Sequence, residues 1–274
     1  MQKFILKDHE PSLLPDGNWT LVWNDEFDGT ELDRTKWDYR LSMMGKRHPA
    51  WTDKGVLLDG KSNAVFTVLE EDGRPVSSQL QTGYNFMDEP VIETKFGSDH
   101  LQWNIGKLKE QLFTHRYGYY ECRCKLQQMP DDRWWSAFWL QSPIIGASLD
   151  PAESGTELDI MECFQYGEVS SHNAFTGGYG LDMKRKCVGG MKLDMEQFHR
   201  FGMLWDENGY TFYIDGKEDG HIDQYISKRP QFILLSTEVK GYRFADHKPT
   251  AESYEVIGKD AFIVDYVRVF DPVI

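Results

Sequence analysis

This sequence predicts an all-β fold, a sandwich or barrel of short antiparallel strands, and three observations predict it. Apolar and polar residues alternate with period two along several segments. Those segments end in turns rich in Gly, Pro and Asp, and helical periodicity sustained over three turns is scarce. In chain order, Ala64–Leu69 reads as a strand closed by the turn Glu70-Glu71-Asp72-Gly73, and Tyr117–Leu126 alternates apolar with charged. Asp194–His199 reads as a single helical turn. Tyr210–Ile214 runs into Asp215-Gly216, a strong hairpin signal. Ala261–Phe270 alternates again and closes the chain. The stretch from Leu41 to Gly60, with Met43, Met44, His48, Pro49 and Trp51, is the least regular and reads as a long loop lining a site. No repeat or linker interrupts the pattern, so one domain is expected over residues 1–274, with residues 1–18 as an N-terminal extension.

The chain has 274 residues, 44 Asp and Glu against 30 Lys and Arg, and a formal net charge of -14. That balance argues against nucleic acid and anionic membranes as partners, because phosphate binding needs a basic surface. No run approaches 18 apolar residues, which argues against a membrane-spanning helix. Aromatic residues make up 14% of the chain, an excess that suits a β-rich core or a stacking cleft for sugars. The four cysteines, Cys122, Cys124, Cys163 and Cys187, are too few for a disulfide scaffold and read as buried thiols. The first residues lack the apolar region and cleavage site of a signal peptide, which leaves a cytoplasmic location and a removed signal both open. Residues Gly55–Ser62 match a phosphate-loop pattern letter for letter, but a strand follows where the phosphate cradle needs a helix, so the match reads as chance.

The informative segment is Gly155-Thr156-Glu157-Leu158-Asp159-Ile160-Met161-Glu162. In a regular strand Glu157 and Asp159 share one face while Glu162 falls on the other, which mixes charged and apolar residues on both. One extra residue at Ile160-Met161, a β-bulge, returns Glu162 to the side of the other two acids and leaves Leu158 and its neighbours for the core. Glu157 and Glu162 are then roughly 13 Å apart at Cα, and side chains leaning together bring the carboxyls to about 5–6 Å, near the spacing of retaining glycosidases. Three acids this close do not all ionise freely, so one is expected to hold its proton, as a general acid must. A hard-cation site and an inert solvated strand are the competing readings; the lack of nearby His or a glycine-rich carbonyl loop disfavours the first.

The same segment resembles the E-x-D-x-x-E signature of glycoside hydrolase family 16, the laminarinase, agarase and carrageenase family. Trp23-Asn24-Asp25-Glu26-Phe27-Asp28-Gly29 with Leu32 and Trp37, Tyr117–Arg123, Ser136–Leu140, Phe198–Phe201 through Trp205, Phe212–Gly216 and Val264–Val269 resemble its other blocks, in order, over about residues 19 to 271. The resemblance implies a β-jelly-roll of two curved antiparallel sheets with a concave substrate cleft. It implies Glu157 as nucleophile, Glu162 as acid/base and Asp159 as the assisting residue of a retaining endo-β-glycanase. The cleft candidates are Trp134, Trp135, Trp139, His172, Trp51, Trp103 and Glu238, with Trp139 facing the cleft and Phe138 the core. No cofactor is expected for catalysis; a structural calcium at Glu26 and Asp265 is a further expectation, as is a monomer whose partner is a polysaccharide or oligosaccharide. Family-wide frequency slightly favours β-1,3- or mixed-linkage β-glucan. The pair Thr237-Glu238 and the loop Ile145–Ser154 look more like galactan-cleaving agarases and porphyranases. A non-catalytic sugar-binding jelly roll is the rival from another class, and the complete acid triplet argues against it.

Overall fold

Two eight-stranded antiparallel sheets face each other in the structure, a computed structural model that describes residues 1–43, 45–88, 108–129, 133–165, 168–239, 242 and 248–273. The site-bearing sheet runs, neighbour to neighbour, Lys184–Val188, His172–Thr176, Glu157–Gln165, Trp134–Gln141, Phe232–Val239, Gln79–Gln81 and Asp38–Tyr39, with Glu168–Ser170 beside the acidic strand. The second runs Lys217–Ile222, Gly209–Ile214, His199–Asp206, Gly118–Lys125, Phe262–Pro272, Ala64–Phe66 and Val56–Leu58, with Trp19–Asp25 paired to Phe262–Pro272. The architecture is the expected jelly roll.

Strand parity builds the core. Phe138, Leu140, Leu158, Ile160, Met161, Cys163, Ala174, Ile233 and Leu235 point inward from the first sheet. They meet Tyr120, Cys122, Cys124, Phe201, Met203, Trp205, Phe212, Val267 and Val269 from the second. Each large side chain buried this way is worth about 1.5–3 kcal/mol, which fixes the register of both sheets, since a one-residue slip would turn the whole inner set outward. The outer face of the second sheet is covered by the N-terminal residues. Leu13 donates its N–H to Glu121 (3.0 Å), and Arg200 and Arg268 donate to the carbonyls of Pro11 (2.7 Å) and Glu10 (2.9 Å).

The hairpin at Asp215-Gly216 has positive φ at both residues (49° and 76°), the backbone a tight hairpin turn demands. Residues 55–62 form a strand and a hairpin turn, with Asp59 Oδ1 accepting from the backbone of Lys61 (2.8 Å) and Asn63 (3.2 Å), and no helix follows. Two expectations need correction. Asp194–His199 is a turn, closed by Gln197 N–H to Asp194 C=O (3.1 Å), after which His199 opens a strand. The stretch Leu41–Gly60 is more ordered than a loop, holding the hairpin Ser42–Met43 with Lys46–Arg47 and the strand Val56–Leu58. Of the four thiols, Cys122, Cys124 and Cys163 are buried, whereas Cys187, on an edge strand, is exposed.

Candidate active site

The acidic strand starts where a short helix stops. Asp150 caps Pro151–Ser154 by accepting the Ala152 N–H at 2.8 Å, and Gly155 turns the chain with φ 77° into the strand. A Cβ at Gly155 would lie 2.3 Å from Ser142 Cβ, so the close approach needs glycine. Along the strand the partner register steps from Met161 opposite Phe138 to Asp159 opposite Trp139, which leaves Ile160 as the extra residue. This is the bulge the acid spacing predicts. Leu158, Ile160, Met161 and Cys163 all enter the core, and Glu157, Asp159 and Glu162 share the opposite, open face of the sheet.

The floor around the acids follows from pairing. Gln141, Trp139 and Ala137 stand beside Glu157, Asp159 and Glu162 on one side, and Phe175 and Asn173 stand beside Glu157 and Asp159 on the other. Beyond the Trp134–Gln141 strand, Ser236 and Glu238 lie opposite Ala137 and Trp135. Asp159 is 3% exposed and Glu162 is 7% exposed, so both need protein partners. Tyr179 donates its hydroxyl to Glu157 Oε2 and accepts from Gln141 Nε2, which also approaches Glu157 Oε2 at 3.4 Å. Burial, and then the Glu157 charge, push the Tyr179 phenol well above its ordinary range, so it stays protonated and remains a donor. Asn173 Nδ2 donates to Glu162 Oε2 at 2.5 Å.

Behind Glu157 sits Arg40, buried with its Nε donating to Asp88 Oδ2 at 2.6 Å. Burial works against its charge, but Asp88, with Tyr179 and Glu157 beyond it, outweighs burial and holds the guanidinium above its ordinary value. The same guanidinium carbon stands 5.4 Å from the Trp51 ring and 5.5 Å from the Trp139 ring.

Several expected cleft residues are where parity puts them. Trp139 lies on the cleft face with its Nε1 donating to Ser236 Oγ at 3.1 Å, while Phe138 enters the core. Trp135 is half-buried on the same face, its ring 4.5 Å from Phe164. Glu238 is on that face too and accepts from Gln79 Nε2 at 2.8 Å. Other expectations are corrected. Trp134 points to the inner side, fully buried with Trp51, Val68, Val239 and Tyr242, because adjacent strand residues cannot share a face. Trp51 is packed in that same cluster, stacked on His48 at 4.1 Å, and reaches the site through Arg40. His172 also points inward. It stacks on Phe212 at 4.4 Å, its Nδ1 lies 2.7 Å from the Ile160 carbonyl, and burial lowers its pKa. Its neighbour Asn173 takes the cleft position. Trp103 and Met44 lie outside the described residues.

Glu26 and Asp265 do not fit a calcium site. Glu26 takes hydrogen bonds from Arg268 Nε (2.9 Å), Arg268 Nη2 (2.7 Å) and Asn24 Nδ2 (3.0 Å), and Asp265 takes one from Arg123 Nη1 at 2.6 Å. Both carboxylates are already engaged by guanidinium groups, and among the described residues no group of three or more His, Cys, Asp or Glu could hold a metal ion. Arg40, Asp88, Gln141, Asn173, Tyr179 and Arg185 are the site residues that sequence reasoning missed. Only Gln141 and Asn173 carried a signal, their even spacing from Trp139 and their place beside the acidic strand.

Known proteins share the family and the fold of this chain. The family model for the β-porphyranase A–D glycoside hydrolase 16 domain matches residues 19–272. Glucan endo-1,3-β-glucosidase A1 of Niallia circulans is 26% identical over 91% of this chain, and β-porphyranase D of Zobellia galactanivorans is 25% identical over 90%. The chain spans 37% of the first and 59% of the second. The catalytic domain of a laminarinase from Thermotoga petrophila superposes with a TM-score of 0.63 at 20% identity, covering 93% of this chain and 99% of that one, and so shares the fold. Among the described residues no helix is long and apolar enough to cross a membrane.

Proposed function

The chain belongs to glycoside hydrolase family 16, and from that premise we propose that it is a retaining endo-β-glycanase acting on a polysaccharide. The observation that carries this reading is the bulge at Ile160, which sets three carboxylates on one open face beside Trp139 and Trp135. Glu157 attacks the anomeric carbon while Glu162 gives its proton to the departing glycosidic oxygen, forming a glycosyl-enzyme. Glu162 then takes a proton from water, which displaces Glu157 and restores the starting configuration. Tyr179 and Gln141 hold Oε2 of the nucleophile, which orients its carboxylate before attack. Asp159, in register between the two glutamates, keeps their proton affinities apart. The aromatic faces of Trp139 and Trp135 bind the apolar faces of the sugar rings.

For the sugar, the porphyranase domain match over residues 19–272 and the cleft position of Glu238 favour a β-galactan of porphyran type over the β-glucan of the glucanase relatives. A panel of laminarin, mixed-linkage glucan, lichenan, agarose, porphyran and carrageenan, read by new reducing ends, tests this. Cleavage confined to porphyran or agarose supports the galactan reading, and cleavage confined to laminarin or mixed-linkage glucan overturns it. Binding without cleavage of any glycan indicates a sugar-binding jelly roll. Azide added to Glu157→Ala should give product of inverted configuration; unchanged configuration would remove Glu157 as nucleophile.

A further inference from the structure

Asn173 is held from behind by a guanidinium, which can act only as a donor, and by a thiol. Arg185 approaches its Oδ1 with Nε at 3.0 Å and Nη2 at 2.7 Å, and Cys187 approaches the same oxygen with its Sγ at 2.9 Å. A guanidinium has no acceptor, so the atom facing it must be the amide oxygen. The Asn173 NH2 group is thereby forced toward Glu162, where Nδ2 donates to Oε2 at 2.5 Å. An oxygen that receives an N–H cannot also present an O–H along the same line. We propose that Arg185 is a positioning residue which, by fixing the Asn173 amide, places the catalytic proton of Glu162 on Oε1 and favours its return to carboxylate once that proton has left. This rests on the reading of Glu162 as acid/base.

Arg185 is suited to the task by its own packing. Its guanidinium carbon lies 5.2 Å from the Phe175 ring, and both residues face each other across the pair of strands His172–Thr176 and Lys184–Val188. The proton that leaves Oε1 goes to the glycosidic oxygen. The electrons of the O–H bond stay on a carboxylate already met by an amide N–H, with a positive charge one residue behind it. The ionisable groups described on this face include Glu157 and Asp159 on the strand of Glu162, Tyr179 and Arg40 beside Glu157, Glu238 two strands away and the Cys187 thiol, and the strand Glu168–Ser170 pairs with Glu162 on its other side. The strand Trp134–Gln141 contributes none, and His172 with Asp219 lies on the far side of the sheet. Arg185 thus faces Glu162 through one intermediate side chain, that of Asn173.

The experiment combines a titration with kinetics. The Glu162 carboxyl carbon is followed by 13C NMR against pH, assigned by its loss in Glu162→Gln, in wild type, Arg185→Met, Arg185→Lys and Asn173→Asp. The rate is measured against pH on whichever glycan wild type cleaves. Arg185→Met should move the Glu162 midpoint up by about one unit, carry the basic limb of kcat/KM up with it, and lower kcat about 10- to 100-fold with KM little changed. Arg185→Lys, which keeps a donor and the charge, should recover most of both. Asn173→Asp, which keeps a partner for Arg185 and so guards against a folding defect, should raise the midpoint further by setting a carboxylate against a carboxylate. An unchanged midpoint and profile in Arg185→Met overturns the proposal, as does a loss confined to KM, which would make Arg185 a substrate contact. If wild type cleaves no glycan the enzymatic reading fails, and the NMR midpoint still decides whether Arg185 acts on Glu162.

Discussion

The two sheets each bury a set of carboxylates, and they treat them differently. On the outer face of the second sheet the buried acids Glu26 and Asp265 are each matched to an arginine, while Glu121 is met by neutral donors. Glu26 is forked by Arg268, Asp265 is bound by Arg123, and Glu121 takes a phenol hydrogen bond from Tyr266 at 2.7 Å and the backbone N–H of Leu13. On the cleft face of the first sheet Glu157 and Glu162 are held by the neutral donors Tyr179, Gln141 and Asn173, and the nearby Arg40 is engaged by Asp88. A guanidinium in direct contact favours the charged form of a carboxylate and occupies the geometry that a substrate needs. A neutral donor orients the group and leaves its proton exchangeable. The contrast between Glu26 or Asp265 and the cleft glutamates separates arginine-bound acids that hold the fold together from the acids proposed for chemistry.

The largest effects should break that symmetry in opposite directions. Glu157→Gln and Glu162→Gln are expected to lower kcat by about 10³-fold or more while leaving the unfolding midpoint in urea nearly unchanged. A rate near wild type in either variant would falsify its place in the mechanism. Arg268→Met should do the reverse. It leaves Glu26 buried without its fork, at a cost of about 3–5 kcal/mol in urea unfolding, with kcat per folded molecule preserved. Loss of activity in the folded fraction of Arg268→Met would show that the two sheets are coupled and that the distinction drawn here is wrong.

Much of this contrast is legible in the sequence, and the failures have identifiable physical causes. The bulge could be found because three acids among Leu, Ile and Met pose a parity conflict that a single strand must resolve within itself. Trp134 and Trp135 pose the same kind of conflict, and applying period two to them would have sent Trp134 inward, where it lies. His172 was misplaced by one residue. The face of a strand is set by its pairing with the neighbour, and Asn173, not His172, lies opposite Asp159. Arg40, Asp88 and Tyr179 gave no local signal, since each reaches the acids from a remote stretch of chain and their contacts exist through tertiary structure alone. Glu26 and Asp265 suggest a calcium site because the sequence shows acids more readily than it shows which arginine will face them.

The tryptophans offer a smaller, sharper version of the comparison. Trp139→Ala is expected to lower kcat/KM about tenfold, by removing a ring from the cleft floor, with a modest loss of stability. Trp134→Ala, one face away in the same strand, should lower stability and leave kcat/KM of the folded enzyme nearly unchanged. Titration of each variant with an oligosaccharide of the cleaved glycan, beside a urea melt, separates the two. Equal effects on binding would mean that the parity of this strand does not divide substrate contact from core.

The smallest expected effect concerns a charge pair remote from the acids. His199 lies on the second sheet with Nδ1 2.6 Å from Asp215 Oδ2 and Nε2 2.8 Å from the Asp194 carbonyl, so both ring nitrogens face acceptors and the imidazolium is favoured. The Asp215 contact raises the His199 pKa above its ordinary 6.5. Asp215 is held below its ordinary 3.8, because the hydrogen bond from His199 and the backbone N–H of Arg200 outweigh burial. The histidine contribution to stability is therefore fully present below about pH 6.5 and is lost as pH rises through the raised folded value. The aspartate contribution is fully present above about pH 3.8 and is lost as pH falls through the lowered one. Between those limits the pair is intact, and above them stability should decline. His199→Gln should flatten the alkaline decline in urea midpoints measured from pH 6 to 9 while leaving the pH dependence of kcat unmoved. A shift in the kcat profile would place this pair in communication with the cleft, and an unaltered stability slope would show that the imidazolium contributes nothing to holding the hairpin strand Gly209–Ile214 against its neighbour.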